Sequence, residues 1–142
     1  MSQSLLLDTH IALWLETADP RLRPGTCALL DGYWRAGGTI FFSAVSAWEI
    51  ALLASLGRFS LDLPADLWVA RFLERPGIQA APLTPLAAAR SYQLQNLEHR
   101  DPGDRLLIAT AIELRCPFVT YDDAIMKFEK SGGRQHGFVV AS

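Results

Sequence analysis

The chain has 142 residues, of which 50% are hydrophobic and 20% are charged, and its formal net charge is −2. This length is enough for one domain with a buried core, and the charge excludes a protein that binds nucleic acid through a general excess of basic residues. No apolar run approaches the roughly 18 residues of a membrane span, and the N-terminus lacks a basic leader. We therefore expect neither a membrane protein nor a secreted one.

Short strand-like runs alternate with helical patterns along the chain. Apolar runs bounded by turn residues predict strands at 4–7, 39–42, 78–83, 117–121 and 138–140. Helical spacing of apolar residues predicts helices at 9–16, 26–35, 44–56, 64–74, 85–97, 105–115 and 123–130. This alternation predicts an α/β fold with a parallel sheet and helices on both faces, built as a single domain over residues 1–142.

Several predicted helices begin at a residue that favours the N-cap position. Asp8 and Ser43 follow predicted strands and each precedes a helix. Asp104 is expected to cap the helix of 105–115, after a turn that contains Asp101. Asp101 is interpreted as a turn residue, with contact to a second metal ion as the alternative.

Four acidic residues each border an apolar run: Asp8, Glu49, Asp104 and Asp122. A carboxylate beside buried surface costs free energy unless a hydrogen bond, a counter-charge or a metal ion compensates it. Since functional sites in parallel sheets form at the carboxyl ends of the strands, we expect the four acids to meet at that edge. Clustered carboxylate oxygens suit Mg²⁺ or Mn²⁺.

Glu49 favours such a site over a set of plain helix caps. An aspartate between a strand and a helix often does nothing more than cap the helix. Glu49, in contrast, is flanked by Trp48 and Ile50 within an apolar run, and a buried glutamate is rare without a partner.

Core packing is the expected role of the four tryptophans, although one or two of them could line a partner surface.

Hydroxyl residues accompany the acids. Thr9 follows Asp8, Ser46 precedes Glu49 by one helical turn, and Thr120 stands two residues before Asp122. They either orient metal-binding carboxylates through hydrogen bonds or serve as ordinary caps and strand ends.

The cysteines, Cys27 and Cys116, lack zinc-site spacing and are interpreted as reduced thiols of a cytoplasmic protein.

In four segments the chain resembles the PIN-domain ribonucleases, and within them the VapC-type toxins of toxin–antitoxin pairs. The segments are LLLDTH at 5–10, SAVSAWEIA at 43–51, HRDPGDRLLIATA at 99–111 and VTYD at 119–122. The resemblance implies a three-layer PIN-like sandwich in which Asp8, Glu49, Asp104 and Asp122 are the metal-binding and catalytic acids, with Thr9, Ser46 and Thr120 as supporting hydroxyls. Asp123 is the alternative to Asp122, and Gly103 stands where relatives often have a bulkier residue.

The resemblance also implies a function. It predicts a cytoplasmic endoribonuclease that depends on Mg²⁺, or on Mn²⁺, and that acts as the toxin of a toxin–antitoxin pair. One or two ions would activate a water molecule for attack on the RNA backbone, and the partners would be an RNA substrate, a second copy in a homodimer and a cognate antitoxin. We expect Arg100 and Arg105 to hold the RNA, with a second basic group formed by Lys127, Lys130 and Arg134.

Two other functions remain open from the sequence. A HAD-type phosphohydrolase also places an aspartate after its first strand, but it needs a second aspartate where this chain has His10. A PIN-like fold that binds RNA or a protein without cleaving is the other alternative, and the presence of all four acids argues against it.

Overall fold

The computed structural model describes residues 3–98 and 101–142. Within these ranges the strands are β1 (Ser4–Leu7), β2 (Thr39–Ser43), β3 (Ile78–Ala81), β4 (Phe118–Val119) and β5 (Val140–Ala141). They form one parallel sheet in the order β3-β2-β1-β4-β5. Every predicted strand is found, although the last one begins two residues later than expected.

Helices connect the strands. The α-helices of the described residues are α1 (Thr9–Thr17), α2 (Pro24–Arg35), α3 (Ala44–Ser55), α4 (Ala65–Leu73), α5 (Pro85–Arg90), α6 (Pro102–Leu114) and α7 (Asp123–Ser131). A short 3-10 helix covers Gly133–His136. The predicted α/β fold with a central parallel sheet is confirmed. Each described helix is too short or too polar to cross a lipid bilayer.

The sheet is buried on both faces. Leu5 and Leu7 of β1 pack into a core that includes Trp68 of α4, whereas Leu6 packs into a second core that includes Leu107 of α6 and Phe128 of α7. Successive side chains of a strand point to opposite faces, so an unbroken apolar run such as that of β1 fits a central strand covered on both sides. The two cores give the three-layer arrangement.

Two helices begin earlier than predicted because a proline occupies their first turn. Proline has no N–H to leave unsatisfied there, and its fixed φ suits the first helical position. Helix α2 starts at Pro24 and α6 starts at Pro102. The prediction that Asp104 caps α6 is wrong: Asp101 is the N-cap, and its Oδ1 accepts bonds from the backbone N of Gly103 at 2.8 Å and of Asp104 at 3.4 Å.

Helix α5 ends at Arg90, whereas the sequence predicted a helix that continues to residue 97. The guanidinium of Arg105 donates hydrogen bonds to the carbonyl oxygens of Ser91 at 3.1 Å and of Leu97 at 2.9 Å. Asn96 adopts a left-handed conformation with φ of 67°, which a continuous helix does not allow. A side chain from α6 therefore stabilises a non-helical segment whose Leu97 is still buried.

Two of the four tryptophans lie outside the core, the alternative that the sequence left open for one or two of them. Trp68 is fully buried, but Trp34 is 46% exposed and Trp48 is 56% exposed. Trp48, Leu52 and Leu56 follow one another at intervals of four residues, share one face of α3 and its C-terminal end, and are all exposed. Because this face turns outward, Glu49 on the adjacent face is half-buried.

Candidate metal centre

Asp8 is fixed in place by two elements. It follows β1 directly and is the N-cap of α1, where its Oδ1 accepts a 2.7 Å bond from the backbone N of Thr9. Its Oδ2 accepts a 2.6 Å bond from the hydroxyl of Thr120, which follows the neighbouring strand β4. The side chain is buried. Asp8 therefore has a single well-defined orientation at the carboxyl edge of the sheet.

Thr9 joins the start of α1 to Glu49 of α3. The hydroxyl of Thr9 donates a 2.7 Å bond to Oε1 of Glu49 and lies 2.9 Å from the hydroxyl of Ser46. Thr9 and Ser46 are both buried. The predicted hydroxyls are thus beside the acids, and Thr9 and Thr120 each bond to one of the acids directly.

Glu49 also reaches the first turn of α6. Glu49, Asp101 and Asp104 each offer one carboxylate oxygen, and these oxygens all lie within 4.8 Å of one another. Gly103 makes this approach possible, because a Cβ at that position would lie 2.9 Å from the Cδ and Oε2 of Glu49. The structure therefore brings Asp101 into the cluster, which agrees with the alternative of a metal contact that the sequence left open beside the turn.

Asp122 lies beside Asp8. It is the N-cap of α7, with Oδ1 accepting a 3.0 Å bond from the backbone N of Ile125, and its own backbone N donates a 3.0 Å bond to the hydroxyl of Thr120. The charge of Asp122 is among the influences that raise the pKa of Asp8 and of Asp104, after burial as the largest. Of the two candidates Asp122 and Asp123, this proximity favours Asp122.

The clustered carboxyls hold protons more tightly than usual. Burial, followed by the charges of the four other acids, Asp8, Asp101, Glu49 and Asp122, raises the pKa of Asp104 to about 8. Burial also raises the pKa of Asp8, against the hydrogen bonds from Thr120 and Thr9. It raises the pKa of Glu49 as well, against the hydrogen bond from Thr9. Concentrated negative charge of this kind favours a bound cation.

The donor set fits a hard divalent cation. Oxygens in one coordination sphere lie at most about twice the metal–oxygen distance apart, roughly 4–5 Å, which is the spacing found among Glu49, Asp101 and Asp104. Because Gly103 has no side chain, the Glu49 carboxylate has room to approach the start of α6. Asp101 and Asp104 are three residues apart, a spacing that places two side chains beside each other on a helix. This spacing is the sequence signal that indicates Asp101 as a member of the cluster.

The basic residues expected to hold RNA have different positions. Arg100 lies outside the described residues. The guanidinium of Arg105 stacks over Tyr92, with its central carbon 4.9 Å from the ring centroid, in addition to bonding two backbone carbonyls. Arg134 lies 3.4 Å from a carboxylate oxygen of Glu129, whereas Lys127 and Lys130 are exposed on α7. Their contact with RNA stays a prediction.

Fold and site together define an α/β protein whose parallel sheet has, at its carboxyl edge, a carboxylate cluster suited to a divalent cation. The model of the PIN domain matches residues 5–130. Ribonuclease VapC22 of Mycobacterium tuberculosis (strain ATCC 25618 / H37Rv) is 31% identical over 119 residues, which cover 84% of this chain and 87% of that protein. The chain belongs to the PIN-domain family, and the resemblance predicted from the sequence is confirmed.

Solved structures share the fold. VapBC2 from Rickettsia felis, bound to a DNA fragment from its promoter, matches with a TM-score of 0.68 at 15% identity and covers 98% of both chains. FitAcB from Neisseria gonorrhoeae matches with a TM-score of 0.62 at 19% identity, over 97% of this chain and 96% of the other. FitAB bound to the IR36 DNA fragment matches with a TM-score of 0.60 at 18% identity, over 96% and 93%.

Proposed function

We propose that the chain is a metal-dependent endoribonuclease and the toxin of a toxin–antitoxin pair. The main support is the convergence of five acids. Carboxylate oxygens of Glu49, Asp101 and Asp104 lie within 4.8 Å of one another. Burial is the largest cause of the raised pKa of Asp104, and the charges of Asp8 and Asp122 add to it. The likeness to a protein named ribonuclease VapC22 supports RNA as the substrate. Family membership favours this function over a HAD-type phosphohydrolase.

The proposed ion is Mg²⁺, with Mn²⁺ as a substitute, and its ligands are drawn from Asp8, Glu49, Asp101, Asp104 and Asp122. When bound, such an ion neutralises the scissile phosphate and lowers the pKa of a coordinated water. The carboxylates hold the ion, orient the attacking water and accept the proton that it loses. Thr120 and Thr9 keep Asp8 and Glu49 in fixed orientations through their hydrogen bonds.

A cognate antitoxin and a second copy of the chain are the proposed protein partners. The antitoxin is supported by the structural relatives, whose names describe VapBC and FitAB complexes. The exposed face of Trp48, Leu52 and Leu56 gives a partner apolar surface to cover. Co-expression with the product of the neighbouring gene tests this part, and we expect the two proteins to purify together. Failure to recover a complex contradicts it.

Two further points belong to the proposal. Residues 1–142 are proposed to fold as one domain, since the first and last strands of the described residues lie in the same sheet. A cytoplasmic location is proposed because both cysteines, Cys27 and Cys116, are free thiols and the proposed substrate is cellular RNA.

The decisive experiment is cleavage of a total cellular RNA pool by the purified protein with Mg²⁺ or Mn²⁺. Asp8→Asn keeps an oxygen for the Thr9 N–H but removes the charge, and we expect it to abolish cleavage, as EDTA does. Asp31→Asn is the matched control, because Asp31 is an exposed acid of α2 and its loss should leave the cuts unchanged. Cuts that persist in EDTA or in Asp8→Asn contradict a metal nuclease at this site. Metal binding without any cleavage would favour the non-cleaving RNA- or protein-binding alternative.

A further inference from the structure

Three aromatic rings form a continuous row that begins at the candidate metal centre. His10 and Trp14 lie one turn apart on α1, with ring centroids 5.9 Å from each other. Trp14 in turn lies 5.8 Å from Tyr121, the residue before Asp122. The row therefore joins the start of α1 to the end of β4, the two elements that position Asp8 and Asp122.

Arginines lie over two of the three rings. The guanidinium carbon of Arg23 lies 4.1 Å from the ring centroid of Tyr121, and that of Arg21 lies 5.0 Å from the Trp14 ring. Asp19 neutralises Arg21 through an ion pair of 2.8 Å. Among residues 3–98 and 101–142, no carboxylate lies within ion-pair distance of Arg23. Arg23 is exposed, so its charge is available to an anion.

The Tyr121 side chain is held rigidly beneath Arg23. Its hydroxyl accepts a 3.0 Å bond from the backbone N of Arg23 and lies 2.5 Å from the hydroxyl of Thr26, which is buried. Ring and guanidinium are therefore pre-arranged, and little side-chain entropy remains to be lost when a ligand binds. His10, at the other end of the row, is exposed.

The His10 end of the row is also close to the acids. His10 directly follows Thr9, whose backbone N donates a 2.7 Å bond to Asp8 and whose hydroxyl donates a 2.7 Å bond to Glu49. His10 is therefore in the first turn of α1, next to the residue that joins these two carboxylates. A polymer with its phosphate at the acids would have its next nucleotides beside these rings.

We propose that His10, Trp14, Tyr121 and Arg23 form a subsite that binds single-stranded RNA next to the metal centre. Unpaired bases stack on aromatic rings and on guanidinium planes, and arginine also holds the phosphate backbone. His10 and the Arg23 guanidinium are the exposed planes of the row, and the half-buried Trp14 and Tyr121 rings support them from the core. Paired bases are not free to stack on these planes. The biological use of the subsite depends on the proposed ribonuclease function, but its binding of RNA does not.

The test is the affinity for a short fluorescein-labelled single-stranded RNA of random sequence, measured by fluorescence anisotropy in EDTA. EDTA prevents metal-dependent cleavage and removes any contribution of a bound ion. We expect His10→Ala and Arg23→Ala each to raise Kd about fivefold or more, the effect typical of losing one stacked base. His10→Phe should restore most of the affinity, because a stacking ring is present again.

Arg35→Ala is the matched control. Arg35 is at the opposite end of α2 from Arg23, it is exposed, and its removal makes the same change of charge. We expect its Kd to equal that of the wild type. A Kd for His10→Ala and Arg23→Ala that also equals the wild-type value overturns the proposal, as does equal affinity for a duplex RNA of the same length.

A second measurement does not depend on the variants. Photo-cross-linking of the wild-type protein to the same RNA with 4-thiouridine in place of uridine should give cross-linked peptides that contain Trp14 or Tyr121. Cross-links found only elsewhere overturn the subsite, and so does the absence of RNA binding by the wild type in EDTA. If the protein still cleaves RNA with Mg²⁺ in either case, the ribonuclease function stands and only the subsite fails.

Discussion

The hydroxyl of Thr120 donates a 2.6 Å hydrogen bond to Oδ2 of Asp8, which lies 112 residues earlier in the chain. The same hydroxyl accepts a 3.0 Å bond from the backbone N of Asp122. Because β1 and β4 are neighbours in the sheet, one threonine joins the two aspartates that follow these strands. The orientation of Asp8 therefore depends on a residue that is not itself acidic.

Replacement of Thr120 by valine should weaken metal binding. Thr120→Val keeps the shape of the side chain but removes the donor to Asp8, so the carboxylate loses its fixed orientation. Loss of such an outer partner of a metal ligand typically costs about 10- to 100-fold in affinity, and we expect a change of that order. Calorimetric titration with Mn²⁺ measures it.

Thr110→Val is the control for this change. Thr110 is a buried threonine of α6 whose hydroxyl donates 2.7 Å to the carbonyl of Leu106, within the helix. Thr110→Val loses this one hydrogen bond within α6, whereas Thr120→Val loses the donor to Asp8 and the acceptor for the backbone N of Asp122, and we expect only Thr120→Val to lose Mn²⁺ affinity. Equal affinities for both variants would contradict a role of Thr120 in orienting Asp8.

Gly103→Ala should reduce metal affinity without destabilising the fold. The new Cβ would lie 2.9 Å from Oε2 of Glu49 and 3.2 Å from Oδ1 of Asp101, so the Glu49 carboxylate must move away. Alanine is about 1 kcal/mol better than glycine within a helix, which offsets the cost of that movement. We expect weaker Mn²⁺ binding together with an unchanged or higher unfolding temperature in EDTA.

Gly32→Ala is the matched change in α2, where a Cβ would meet nothing within 4 Å. It should raise the unfolding temperature and leave Mn²⁺ affinity unaltered. If Gly103→Ala behaves in the same way as Gly32→Ala, the approach of Glu49 to α6 plays no part in holding a metal ion.

Most of the fold was predictable because the signals are local. The apolar runs of β1 and β2 end at residues that favour an N-cap, Asp8 and Ser43, and the two helices begin where predicted. Alternation of strand and helix then leaves few topologies other than a parallel sheet. The gathering of Asp8, Glu49 and Asp104 at one edge follows from that topology.

The features that the sequence did not predict depend on contacts between distant residues. Helix α5 stops because Arg105 of α6 binds carbonyls at Ser91 and Leu97, and no local pattern around residue 91 contains that information. The outward turn of Trp48 depends likewise on which face of α3 meets the sheet. For Asp101 the sequence left contact with a metal ion open but did not predict the N-cap of α6, since the proline after it was interpreted as part of a turn and not as the first residue of a helix.

Arg105→Ala should destabilise the protein. Its guanidinium bonds two backbone carbonyls of the segment between α5 and α6, and each bond to a charged group contributes about 1.5–3 kcal/mol. We expect the free energy of unfolding, measured by urea denaturation, to fall by about 2 kcal/mol or more. Arg105→Lys should restore little, because one ammonium group replaces a fork with several donors.

The same variant tests the predicted contact between Arg105 and RNA. A phosphate contact makes the loss of affinity greater at low salt than at high salt, because counterions are released on binding. The predicted contact therefore requires Arg105→Ala to lose more affinity at low salt than at high salt, whereas an equal loss at all salt concentrations would mean that Arg105 acts only through the segment that it supports. Unchanged stability combined with a salt-dependent loss would contradict the structural role and favour the phosphate contact.

The stability of the metal-free protein should fall as the pH rises. In the folded state the pKa of Asp104 is about 8, mainly through burial and then through the neighbouring acids, against its usual value of 3.8. Between these two values the folded state binds more protons than the unfolded state, so the free energy of unfolding decreases with increasing pH. The raised pKa values of Asp8 and Glu49 act in the same direction.

A divalent cation takes the place of the protons, so Mn²⁺ should raise the unfolding temperature more at a pH above the pKa of Asp104 than at a pH well below it. Asp104→Asn should flatten the pH dependence in EDTA and stabilise the metal-free protein at high pH, since it removes a buried charge. A variant whose stability follows the wild-type pH profile would mean that Asp104 is not the group that titrates.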